Sequence, residues 1–188
     1  MDRPDTASGP LSQDDFPRPK ALGDGWAYSI DPGDAEEGYA GNGTPALARN
    51  PAEVVRLAVP LGCARPDAMP VPDHALEVDY TVGATKVIAI RGEFKDVGMA
   101  EVFFDARNAN VQRCVGRSGG QAIGPLVATA ETLADGVLLS DRTPESAPWT
   151  ELALLDGDQV VLVAAQTRLG TPPMSKDQAR RLAEVFRR

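Results

Sequence analysis

Positive charge is scarce in this sequence, and so are histidine, cysteine, aromatic side chains and long apolar runs. Nineteen lysines and arginines face 27 aspartates and glutamates, a formal charge of −8. That balance argues against a phosphate backbone or an anionic membrane as partner, because either would be approached against repulsion. The largest cationic group, Arg180, Arg181, Arg187 and Arg188, falls on the last predicted helix and reads as a solvated face with favourable charge at a helix end. No stretch approaches the roughly 20 apolar residues of a membrane span. The opening "MDRPDTASGPLSQDD" has no charged-then-apolar layout of a secretion signal.

With one histidine, His74, nucleophilic catalysis has little to work with. "GRSGG", Gly116 to Gly120, has the form G-x-S-x-G with Ser118 in the nucleophile position. The elbow needs a strand before the serine and a helix after it, whereas a predicted helix comes first, so a plain glycine-rich loop is expected. Its anion-cradling reading fails for the same reason, since a helix C-terminus presents the wrong end of the dipole. "GNG" at Gly41 has no βαβ frame around it and is no dinucleotide fingerprint. Asp31, Asp34, Glu36 and Glu37 cluster in "DPGDAEEG", but their spacing is not that of an EF-hand, and a solvated acidic loop is the simpler reading. The expectation is no enzyme, no cofactor and no metal.

What is present points to one domain. The 188 residues can bury a sizeable core, and 16 prolines and 18 glycines between periodic segments indicate many ordered turns. Residues 1–15 are expected to be a flexible tether and 16–188 a single domain. Two cysteines, Cys63 and Cys114, leave two readings open. The preferred one is a disulfide in an oxidising compartment, worth about 4 kcal/mol in the chain-entropy account. The other is a pair of buried thiols in a cytosolic protein. A metal site is disfavoured, because neither cysteine has close companions.

Local patterns give an element order. "GWAYSID" from Gly25 predicts a strand, and Asn50 followed by Pro51 and Glu53 a helix stopped by Pro60 and Gly62. "LEVDYTVGATKVIAI" predicts a hairpin turning at Gly83-Ala84; if Val82 pairs with Thr85, Glu77 and Asp79 share a face with Lys86, Ile88 and Ile90. A long helix is expected from about Val97, capped by Asp96, to Cys114, with Gly116 as its left-handed stop. Two further hairpins are expected to turn at Asp135-Gly136 and Asp156-Gly157, and a final helix to start with the capping box Ser175/Gln178. Hairpins interleaved with helices imply an α+β fold, a twisted antiparallel sheet with flanking helices.

Within "AEVFFDARNANVQRCV", spacing of about 100° per residue places Phe103, Phe104, Val111 and Cys114 on one stripe, with Arg107 near its centre. A guanidinium there must be paired, reach the rim, or face a cavity that holds an anion. Glu77, Asp79 and Glu151 are available as partners on predicted strands. In the functional version, Arg107, Glu77 and Asp79 form a ligand site in a cleft beside the sheet.

Three stretches, "LSQDDFPRPKALGDGW", "AEVFFDARNANVQRC" and "RTPESAPWTELALLDGDQVVLV", together resemble the extracytoplasmic sensor domains of actinobacterial serine/threonine kinases and related cell-envelope lipoproteins. The resemblance implies a central cleft and ligand sensing without catalysis, with Trp26, Cys114 and Trp149 at the matching positions and Cys114 in a disulfide. The family commonly carries two disulfides, and this chain has cysteines for one. The chain holds no kinase domain, so a lipoprotein or stand-alone relative is the better comparison. The expected function is a non-enzymatic, extracytoplasmic ligand-binding or sensor-like module, secreted or anchored through a segment outside this chain, its partner an anionic small molecule or envelope component. The alternative is a cytosolic acidic interaction or immunity-like protein that meets a basic partner.

Overall fold

The computed structural model describes residues 8–30, 33–34, 39–40, 43–60, 62–63, 68–118, 125–142, 148–166 and 174–187. The hairpin at Gly83-Ala84 forms as its alternation requires. Strands β5 (His74–Val82) and β6 (Thr85–Glu93) pair with Val82 opposite Thr85. Gly83 supplies the positive φ, +58°, that opens the two-residue turn. This register sends Leu76, Val78 and Tyr80 to one face with Val87 and Ala89. Glu77 and Asp79 go to the other, opposite Ile90 and Ile88.

Two more hairpins follow the same logic. Strands β7 (Val127–Ala134) and β8 (Val137–Arg142) turn at Asp135-Gly136. Strands β9 (Trp149–Asp156) and β10 (Gln159–Gln166) pair Asp156 with Gln159, so the turn is Gly157-Asp158 and not Asp156-Gly157. The shift has a cause at each position: Gly157 takes the first turn position with φ +61°. Asp156 stays in the strand, and its carboxylate accepts from Arg91 at 3.3 Å.

The hairpins assemble into one open antiparallel sheet of eight strands, in the order β1-β5-β6-β10-β9-β8-β7. The outer edge of β5 is shared by β1 (Trp26–Tyr28), opposite residues 80–82, and β4 (Ala46–Ala48), opposite residues 76–78. Strands β2 (Gly33–Asp34) and β3 (Tyr39–Ala40) form a separate short ladder. Pairing of β6 with β10 is the seam that joins the N-terminal strands to the C-terminal ones.

Helices cover both sheet faces, so the α+β reading holds. On one face, α4 (Lys176–Phe186) lays Ala179, Leu182 and Phe186 over Val78, Tyr80, Val161, Val163 and Leu152, and Ser175 and Gln178 cap it reciprocally as predicted. The other face carries α3 (Val97–Arg113), whose Phe103, Phe104 and Val111 pack with Leu138, Ala153 and Leu162. Asp96 caps α3 through the Met99 amide, Cys114 ends it, and Gly116 follows with φ +73°. The shorter α2 (Pro51–Ala58), capped by Asn50, packs near β5 and β6. Cys63 and Cys114 are disulfide-bonded with Cα atoms 5.7 Å apart, tying the segment after α2 to the end of α3.

The tether expectation needs correction. Residues 1–7 lie outside the described residues, but the packed domain begins before residue 16. Leu11 and Phe16 are both buried in the first core, and Gln13–Asp15 forms a 3-10 turn closed by a capping box from Ser12 and Asp15. The Tyr80 hydroxyl donates to the Pro17 carbonyl at 2.8 Å, and α1 (Pro19–Leu22) leads into β1. Two isolated apolar residues without periodicity hold this segment, which is why its polar composition misled.

Candidate functional site

Arg107 is fully buried, as its place in the α3 stripe requires. Its Nη2 pairs with Glu151 Oε1 on β9, and its Nη1 donates to Asn108 Oδ1 at 2.7 Å. Glu151, 5% exposed, offers its second oxygen to Arg142 Nη1 from β8. Two guanidinium groups therefore share one carboxylate. Burial pushes Arg107 down to about 9, with help from repulsion by Arg142, and pushes Arg142 down to about 10. Both remain cationic at neutral pH.

Glu77 and Asp79 are engaged elsewhere. Arg49, which follows β4, grips Glu77 with a fork: Nε to Oε2 at 2.9 Å and Nη2 to Oε1 at 2.7 Å. That bond raises Arg49, while burial lifts Glu77 above its ordinary value against the pull of the guanidinium. Asp79 faces Lys86 at 3.5 Å. Arg107 thus does not meet Glu77 or Asp79, and the proposed three-residue ligand site is not assembled. Pairing on Glu151 is what the structure shows for Arg107.

A groove nonetheless lies between these charged pairs. Its volume is about 230 Å³. The floor is Ile88 and Ile90 of β6 with Leu162 and Ala164 of β10, and Val54 and Leu57 of α2 form a wall. Arg49 and Glu77 flank it on one side, and Arg142, Trp149 and Glu151 on the other. Three strand steps, about 14 Å, separate the strand of Glu77 from that of Glu151. Glu77 is thus the one predicted ligand residue that lines the groove. Arg107 sits behind Glu151 and supports it.

Sequence reasoning missed Arg49 and Arg142, and it set Ile88 and Ile90 on the face of Glu77 without the Leu162 and Ala164 that complete the floor. The resemblance had singled out Trp149 without a role. Arg142 becomes visible only through pairing, because its opposite number across β8 and β9 is Trp149 and the two share the face of Glu151.

The remaining candidates do not converge on the groove. His74 starts β5, and its ring lies so close to Gly9 that a Cβ there would come within 2.3 Å. Ser118 sits in an isolated bridge with Pro125, and neither residue lines the groove. Asp31, Glu36 and Glu37 lie outside the described residues, and Asp34 is in β2. Among the described residues, no three histidine, cysteine or carboxylate groups are placed to hold a metal. No described helix is long and apolar enough to cross a membrane.

No protein-family model matches the chain. No curated protein matches it either. Among solved structures, it is similar to the extracellular domain of PknH from Mycobacterium tuberculosis at 13% identity and a TM-score of 0.46, over 60% of this chain. The chain spans 61% of that domain's length.

Proposed function

We propose that this chain is a non-enzymatic, extracytoplasmic ligand-binding module of the sensor type, belonging to the cell envelope. The observation that carries the reading is the groove, an aliphatic floor bounded by arginine–glutamate pairs on a rigid sheet. Small-molecule sites have this character: concave and largely apolar, with a few fixed polar groups. The Cys63–Cys114 bond supports placement in an oxidising compartment, where such bonds persist. The polar groups on the groove are ion-paired arginines and glutamates, which suit recognition better than nucleophilic attack.

The test is to incubate the purified full chain with fractionated envelope extract, wash, release bound molecules by denaturation and identify them by mass spectrometry. An Ala164→Trp variant, which fills the groove floor, serves as control. A small molecule retained by the wild type and absent from the variant is the expected result. Equal recovery from both would place binding outside the groove.

A further inference from the structure

The cluster at one end of the groove is unbalanced. Glu151 is the sole carboxylate in ion-pair contact with Arg107 and Arg142, so among the described residues one of these two positive charges has no counter-charge of its own. Arg107 is sealed away, 0% exposed. Arg142 is the member that lines the groove, and it gives only Nη1 to Glu151 among the described residues. Its Nε and second Nη make no hydrogen bond to a described residue. Leaving a buried charge unpaired is costly, and a ligand that supplies the missing anion removes that cost.

We infer that the groove takes a small amphipathic monocarboxylate, its head on Arg142 and its apolar body on Ile88, Ile90 and Leu162. The inference rests on the groove reading above and specifies its ligand class. Three quantities select it. The excess is one charge, which a carboxylate balances; a phosphate monoester brings about 1.5 to 2 negative charges. The free edge of a guanidinium matches a carboxylate in a two-bond fork. At about 30 Å³ per water-sized group, 230 Å³ holds roughly seven or eight such groups. A chain of that length lies across the floor with no further polar group to satisfy. At the far side Arg49 is already closed by both oxygens of Glu77, so a second anionic head is not called for.

Isothermal titration calorimetry of the full chain with octanoate, 1-octanol and octylammonium tests this. These probes share a chain and differ in head charge. Octanoate should bind at least about tenfold more tightly than octanol, as expected for a hydrogen-bonded charge pair, and octylammonium most weakly. In Arg142→Gln the octanoate and octanol affinities should converge, while Glu151 keeps Arg107 as its partner. Arg142→Lys should keep part of the preference, retaining the charge and losing the fork.

Equal binding of octanoate and octanol by the wild type would overturn the assignment of the head, as would a preference for octylammonium; either result leaves the groove reading in place. A full octanoate preference in Arg142→Gln would also overturn it. Binding of none of the three would sink the groove reading itself.

Discussion

One carboxylate shared by two cations determines how individual substitutions behave. Removing Arg107 does not strand Glu151, because Arg142 remains on its second oxygen. Arg107→Met should therefore cost at most about 1–3 kcal/mol, because lost hydrogen bonding and imperfect repacking are offset in part by removal of the excess positive charge. Glu151→Leu is the harsher change. It leaves two guanidinium groups facing each other without a counter-charge, and about 3–5 kcal/mol is expected. Urea denaturation of both variants checks the order; a larger loss for Arg107→Met would contradict the shared-carboxylate arrangement. Ser118→Ala should alter neither stability, beyond about 0.5 kcal/mol, nor octanoate affinity, and a lost affinity would bring the glycine loop into the site. At this scale the sequence disclosed Arg107 and its eventual partner among three candidates, because helix spacing fixes a face. It did not disclose Arg142, since a strand's alternation says which residues share a face but not which neighbouring strand lies beside them.

Elements were legible where local chemistry decides them. The caps at Asn50, Asp96 and Ser175 and the turns at Gly83 and Gly136 lie where side-chain acceptors and glycine conformations require. The N-terminal segment was not legible, because Leu11 and Phe16 are held by tertiary contacts alone. Gly9 is its pivot, at φ +52° with its Cα against the His74 ring. Gly9→Ala brings both a left-handed alanine, about 1–2 kcal/mol, and a clash, so limited proteolysis should cut the first 20 residues faster while octanoate binding persists. Unchanged cleavage would mean that the segment docks without Gly9. The disulfide acts at the same scale. Replacing Cys63 and Cys114 with serine should destabilise by about 4 kcal/mol for a separation of 51 residues, read as a lower unfolding temperature. A native protein whose mass rises by two hydrogens on reduction confirms the bond, and thiols labelled without denaturation would refute it.

For the whole molecule, the class of fold followed from three hairpins and their intervening helices, since each hairpin encodes its own register. The order in which the hairpins dock is not written locally. Only the completed sheet places β6 against β10, and only that pairing makes a floor from Ile88 and Ile90 on one side and Leu162 and Ala164 on the other. This seam has a kinetic meaning. The disulfide joins residues within the N-terminal part of the chain and does not cross to β10, so nothing covalent other than the chain itself holds the two groups of strands together. Long-range pairing of this kind forms late, after the local hairpins, because loop closure must precede it. A molecule seated across the floor touches both groups of strands, and any unfolding route that parts them must first expel it. Occupancy by the proposed ligand would therefore act as a clasp: it would lengthen the lifetime of the joined sheet far more than it would hasten the joining.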